Sequence, residues 1–76
     1  MEFVFDGKKY GTRLTVDTQV RVNSPDRLGH GLFGTVNQIG YDRDIEAIRY
    51  KVIFDDAQNV GWGLFGAIEL EVINGQ

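Results

Sequence analysis

The sequence predicts an all-β domain, a small barrel of five to six antiparallel strands with an N-terminal hairpin extension. Three observations carry this. Apolar residues alternate with polar ones wherever a segment is long enough to show a period, which is the repeat of a strand with one buried face. Ten glycines and many β-branched residues interrupt every window in which a helical stripe could form. Residues 20–36, VRVNSPDRLGHGLFGTV, also align without a gap on residues 52–68, VIFDDAQNVGWGLFGAI, and six of the seventeen positions are identical.

Taken in order, EFVFDGKKY gives two short arms around Asp6-Gly7, a dipeptide that favours a tight hairpin turn because glycine tolerates positive φ. Val16, Val20 and Val22 mark the next strand, ended by Asn23-Ser24-Pro25-Asp26, where proline cannot donate to a ladder. The clearest strand is AIRYKVIFDD: Ile48, Tyr50, Val52 and Phe54 share one face and Arg49, Lys51 and Ile53 the other. Ile68, Leu70 and Val72 alternate with Glu69 and Glu71 in a last strand. The reading is one domain over residues 1–76, with a hairpin over 1–15 and two repeated hairpin units over 16–39 and 48–71.

Each unit holds a G-x-G-x-x-G string, GHGLFG from Gly29 to Gly34 and GWGLFG from Gly61 to Gly66. In a dinucleotide site such glycines turn a strand into a helix whose N-terminus meets pyrophosphate, inside a βαβ unit. Here TVNQIGY and AIELEVI follow, and neither begins such a helix. The glycines are therefore expected at sharp turns and close strand approaches, with Leu32, Phe33, Leu64 and Phe65 facing alternately inward and outward. A lesser role remains open, in which consecutive glycine-turn N–H groups form a nest for an anion.

The chain is acidic, with net charge −3, and unevenly so. Residues 1–36 hold five basic and four acidic side chains, and residues 37–76 three and seven. Clustered Lys and Arg that neutralise phosphates are the footprint of duplex binding, and no basic run is present. Residues 1–10 carry neither a basic start nor a long apolar run, so neither a signal peptide nor a membrane anchor is expected, and the location is read as cytoplasmic. There are no cysteines, so a fold of 76 residues depends on packing or on homo-oligomerisation.

The search for catalytic groups is short. Ser24 and His30 are the only serine and histidine, and a triad would need both, with Asp17 or Asp26 as orienter. Ser24 sits in a turn sequence in which such side chains bond to their own backbone. Asp42, Asp44 and Glu46 copy part of a calcium-loop spacing, but Ala47 and Ile53 stand where Gly and Glu are required. No catalytic residue, metal site or cofactor is assigned.

The strings QVRVNSP, GTV, YKVIFDD and ELEVI together resemble the SH3-like small barrels, including the KOW and Tudor modules and the small peripheral barrel proteins of photosystem I. The likeness runs over most of Thr18 to Ile73. It implies five strands, a tight helical turn near Gly66 to Ala67 and a ligand groove beside the first long loop. The photosystem I barrels tend to carry an aromatic pair where this chain has Leu28-Gly29-His30, so docking of an electron carrier does not transfer. The strings FVF, VRV and LEVIN are similar to type II dihydrofolate reductase, which assembles four copies around a pore lined by a Val-Gln-Ile-Tyr strand. The matching Val60-Gly61-Trp62-Gly63 lacks Gln and Tyr, so what the resemblance implies is assembly and not reduction.

Recognition remains. Trp62 is the sole tryptophan and stands between two glycines, His30 holds the equivalent place in the first unit, and Tyr41 and Tyr50 belong to the intervening strands. Tryptophan and tyrosine give rigid contact area with a polar tip and are over-represented among binding hot spots, although a tryptophan is equally at home capping a core. The expected function is a non-catalytic module that binds a protein, or another copy of itself, through His30, Leu32, Phe33, Tyr41, Tyr50, Trp62 and Phe65. The alternative is a nucleotide or nucleic-acid binder using the same loops, amides on phosphate and an aromatic on the base.

Overall fold

A computed structural model describes residues 2–55 and 61–73 of the chain. Strands β1 (Glu2–Phe5) and β2 (Lys8–Gly11) pair as a separate hairpin. Its turn has φ of 55° at Asp6 and 79° at Gly7, the doubly positive geometry that Asp-Gly favours. Strands β3 (Gln19–Val22), β4 (Phe33–Asp42), β5 (Ala47–Phe54), β6 (Trp62–Phe65) and β7 (Leu70–Val72) form one antiparallel sheet in the order β6-β5-β4-β3-β7. A single 3₁₀ turn, Ala67–Glu69, joins β6 to β7.

That connection fixes the curvature of the sheet. In a flat sheet β6 and β7 would lie four strand spacings apart, roughly 19 Å. Phe65 and Leu70 are separated by five residue steps, of which three lie in a 3₁₀ turn rising only about 2 Å per residue, so they reach about 13 Å. The sheet must curl to bring its two end strands together. Strand β4 supplies part of the bend, since its register against β5 shifts between Val36 and Gln38, leaving Asn37 as the extra residue of a bulge.

The concave face holds the core: Leu14, Val20, Val22, Val36, Tyr50, Val52, Phe54, Phe65 and Leu70. In β5 the buried residues are Tyr50, Val52 and Phe54, as the two-residue period requires. The expected outer strands fare less well. Val16 is exposed and precedes β3, Ile68 is exposed in the 3₁₀ turn, and of the last alternating set only Leu70 is buried. Tyr50 keeps its polar tip satisfied inside, where its hydroxyl accepts the Arg13 N–H at 3.1 Å. Tyr50→Phe therefore strands one part-buried donor and is expected to cost about 1 kcal/mol. A urea midpoint lowered with an unchanged slope is the measurement that checks it.

The two glycine strings differ in conformation. Gly29 and Gly61 both have positive φ, 99° and 83°. Gly31 is also positive, at 87°, within a turn, whereas its counterpart Gly63 lies inside β6. The cause is register. Val20 pairs Gly34, but Val52 pairs Gly63 rather than Gly66, an offset of three residues. An odd offset exchanges the faces of every side chain that follows. Leu32 thus packs against the core while Phe33 points out, and in the second string Leu64 points out while Phe65 is buried. Both units are hairpins, but the expected repetition of one local shape is replaced by two different registers. Asp56 to Val60, part of the second unit, fall outside the described residues.

Candidate functional site

Four exposed apolar residues of the sheet gather on the outer face of β4, β5 and β6, while Val72 is exposed in β7. Thr35 pairs Ile53, and Ile53 pairs Trp62, which makes one cross-strand row; Gln38, Lys51 and Leu64 make the next. Phe33 stands two residues before Thr35 on the same face of β4, within reach of Ile53 across the diagonal. Phe33 is 50% exposed, Ile53 37%, Trp62 53% and Leu64 42%. Lys51 Nζ lies 4.7 Å from the Trp62 ring centre, a cation–π contact of about 0.5–1 kcal/mol at an exposed site.

Beside this patch the same face carries a cleft of about 360 Å³ lined by Gln38, Gly40, Tyr41, Asp42, Arg49, Lys51 and Leu64. Its floor is Gly40, which pairs Arg49. A side chain there would meet nothing within 4 Å, so the missing side chain is what opens the hollow. Arg49 Nε is buried and has no hydrogen-bond partner among the described residues, an arrangement that costs about 1–3 kcal/mol while it persists. Asp42 Oδ1 accepts the Asp44 N–H at 2.9 Å and shapes the turn into β5, so this carboxylate belongs to the solvated connection expected of YDRDIE.

Of the predicted contact residues, Phe33 and Trp62 come to this face. Tyr50 and Phe65 are corrected to core residues, 2% and 1% exposed, because their strand periods turn them inward beneath the surface. Leu32 packs against the core as well. Tyr41 lines the cleft, but its ring is occupied by the N-terminal hairpin, with Tyr10 at 4.6 Å and Phe5 at 5.3 Å between centroids. Burial, with Tyr10 beside it, raises the Tyr41 hydroxyl above its ordinary pKa. His30 is exposed on the first long loop, with Nδ1 accepting the Ser24 N–H at 3.0 Å. Sequence reasoning misses Ile53 and Leu64. Ile53 carries a signal, since it is an apolar residue in phase with Arg49 and Lys51 on the polar side of its strand.

The chemistry of the first loop is internal. Ser24 Oγ donates to Glu69 Oε2 at 2.8 Å, so the hydroxyl is not aimed at His30 as a nucleophile–base pair requires. The N–H groups of His30, Gly31 and Leu32 donate to the carbonyls of Arg27, Val22 and Gly29, which leaves none of the three for an anion nest. At the second string the anion is the protein's own, for Gly66 N–H donates to Glu69 Oε1 at 2.9 Å. Arg27 completes this knot: Nη1 lies 3.1 and 2.9 Å from the two Glu69 oxygens, Nη2 donates to Leu64 O at 2.6 Å, and the guanidinium lies 4.6 Å from the Phe65 ring centre. The loop is thereby fastened to β6 and the 3₁₀ turn.

Among the described residues no helix is long and apolar enough to cross a membrane, and no group of three or more His, Cys, Asp or Glu is placed to hold a metal ion. No family model matches this chain, and neither the curated proteins nor the solved structures offer a match.

Proposed function

We propose that this chain is a non-catalytic SH3-like binding module that docks a protein partner on the outer face of β4, β5 and β6. The strand order, the long loop between β3 and β4, and the 3₁₀ turn leading into β7 support the SH3-like reading. The observation that carries the functional reading is the adjoining set Phe33, Ile53, Trp62 and Leu64, exposed on a rigid sheet. Exposed apolar side chains gathered in one place mark contact sites, whereas scattered ones need no explanation. A flat aromatic anchored by a cation, with further apolar residues around it, is the composition of an interface centre. The chain is acidic overall, yet Lys51 and Arg49 border this patch, so the partner fits best with an apolar centre and an acidic rim.

The test is direct binding of a partner recovered on immobilised protein, repeated with purified components, for the parent, Trp62→Ala, Phe33→Ala and Ile68→Ala. Ile68 is exposed but lies in the 3₁₀ turn, outside β4, β5 and β6. Trp62→Ala and Phe33→Ala are expected to weaken the complex about tenfold or more while remaining folded, and Ile68→Ala to leave it unchanged. Equal affinity for the parent and Trp62→Ala would overturn the reading. Sizing of the pure parent at increasing concentration decides whether the partner is a second copy, in which case Trp62→Ala abolishes the concentration dependence.

A further inference from the structure

The cleft over Gly40 has a chemistry that the apolar patch lacks. Its lining includes two cations, Arg49 and Lys51, together with Gln38 and Leu64. One carboxylate, Asp42, also lines it, and an oxygen of that group is taken up by the Asp44 N–H. Arg21, Arg27 and Arg43 are each paired with a carboxylate. Arg49 has no such partner among the described residues, and its Nε–H is buried without an acceptor. Arg49 lines the cleft with a guanidinium that no carboxylate among the described residues neutralises, and a guanidinium edge matches the two oxygens of a planar or tetrahedral oxyanion. The volume, about 360 Å³, lies in the range of small-molecule sites. It exceeds a bare inorganic anion, and Leu64 provides an apolar side for what the anion is attached to.

We propose that this cleft binds a small organic anion, a carboxylate or phosphate ester carried on a flat apolar body, with the oxyanion on Arg49 and the body over Gly40 against Leu64. This site needs no protein partner, and it shares Lys51 and Leu64 with the edge of the patch around Trp62. Gly40 is the gate residue, because any side chain at that position projects into the space the ligand fills.

Nitrogen-detected or proton-detected NMR titration tests this, reading the Arg49 Nε–Hε signal and the backbone amides of Gly40, Asp42 and Leu64. The probes are benzoate, phenyl phosphate and the uncharged benzamide. A saturable shift of these signals by either anion is expected, the tighter of the two identifying the headgroup. Arg49→Gln is expected to weaken it by about tenfold or more. Gly40→Leu, whose backbone φ is ordinary, is expected to abolish it in a protein that remains folded. The proposal is overturned if neither anion gives a saturable shift, if benzamide binds as tightly as benzoate, or if Gly40→Leu binds undiminished. Arg49→Gln and Gly40→Leu leave Phe33, Ile53, Trp62 and Leu64 in place, so loss of anion binding with partner binding retained, or failure of this site altogether, leaves the partner-binding reading standing.

Discussion

Gly34→Ala is expected to cost about 2–4 kcal/mol, a sizeable share of the stability of so small a domain. Gly34 is buried in β4 between Val20 on one side and Phe54 on the other. A Cβ built there lies 2.6 Å from the Ile53 carbonyl oxygen and 2.7 Å from Val52 Cγ1. The first neighbour is backbone of the central ladder and the second a fully buried side chain, so neither yields without parting β4 from β5. A domain of 76 residues has roughly 4–11 kcal/mol of stability in all. Each kcal/mol lowers the melting temperature of such a domain by about 4–8 °C, so a fall of roughly 10 °C or more is the expected readout by calorimetry. Gly40→Ala is the matched comparison in the same strand. Nothing lies within 4 Å of its Cβ, and its melting temperature is expected to stay close to the parent's. Equal melting temperatures for Gly34→Ala and Gly40→Ala would falsify the close approach of β4 and β5 at this point.

Replacing Glu69 comes next in size. Its carboxylate accepts from Gly66 N–H, Ser24 Oγ and Arg27 Nη1, and removing it leaves three donors without their acceptor and frees the first long loop from the 3₁₀ turn. Glu69→Ala is expected to cost about 2–3 kcal/mol, a figure held down because Arg27 is partly exposed and water replaces some of the lost contacts. The pH dependence is the sharper test. Burial pushes the Glu69 carboxyl upward, but the Gly66 N–H, the Ser24 hydroxyl and the Arg27 charge outweigh it, so its pKa lies below the ordinary 4.5. A lowered native value means that the unfolded chain takes up the proton first. The stabilisation is therefore complete above the ordinary carboxylate value and disappears as the pH falls through it and on through the lowered native value. Unfolding free energies of the parent and Glu69→Gln should differ most near neutrality and converge on acidification. A difference that stays constant across this range would remove the Arg27–Glu69–Ser24 knot as the source of the effect.

The contact residues illustrate how far a one-dimensional pattern reaches. Trp62 and Phe33 can be picked out as exposed aromatics beside glycine, but Tyr50 and Phe65 come from the same composition and are core. Chemical type does not tell which face of a strand a residue occupies; phase does, and phase in β6 depends on how its hairpin pairs with β5. The same holds for the glycines. Their need at close approaches is legible, and Gly34 meets it through the carbonyl of Ile53. That Gly40 opens a cleft is not legible, since the emptiness above it depends on Arg49 across the ladder and Leu64 one strand further.

Local chemistry alone determined the all-β class, the Asp6-Gly7 hairpin and the inward face of β5, because turn preference and a two-residue period act over a few neighbours in the chain. Tertiary structure decided the three-residue offset between the two glycine strings, the curl imposed by the short link from β6 to β7, and the gathering of Phe33, Ile53, Trp62 and Leu64. Those depend on which residues stand opposite one another across the ladder, and pairing at a distance is settled by total burial in the sheet, a quantity that no single segment carries.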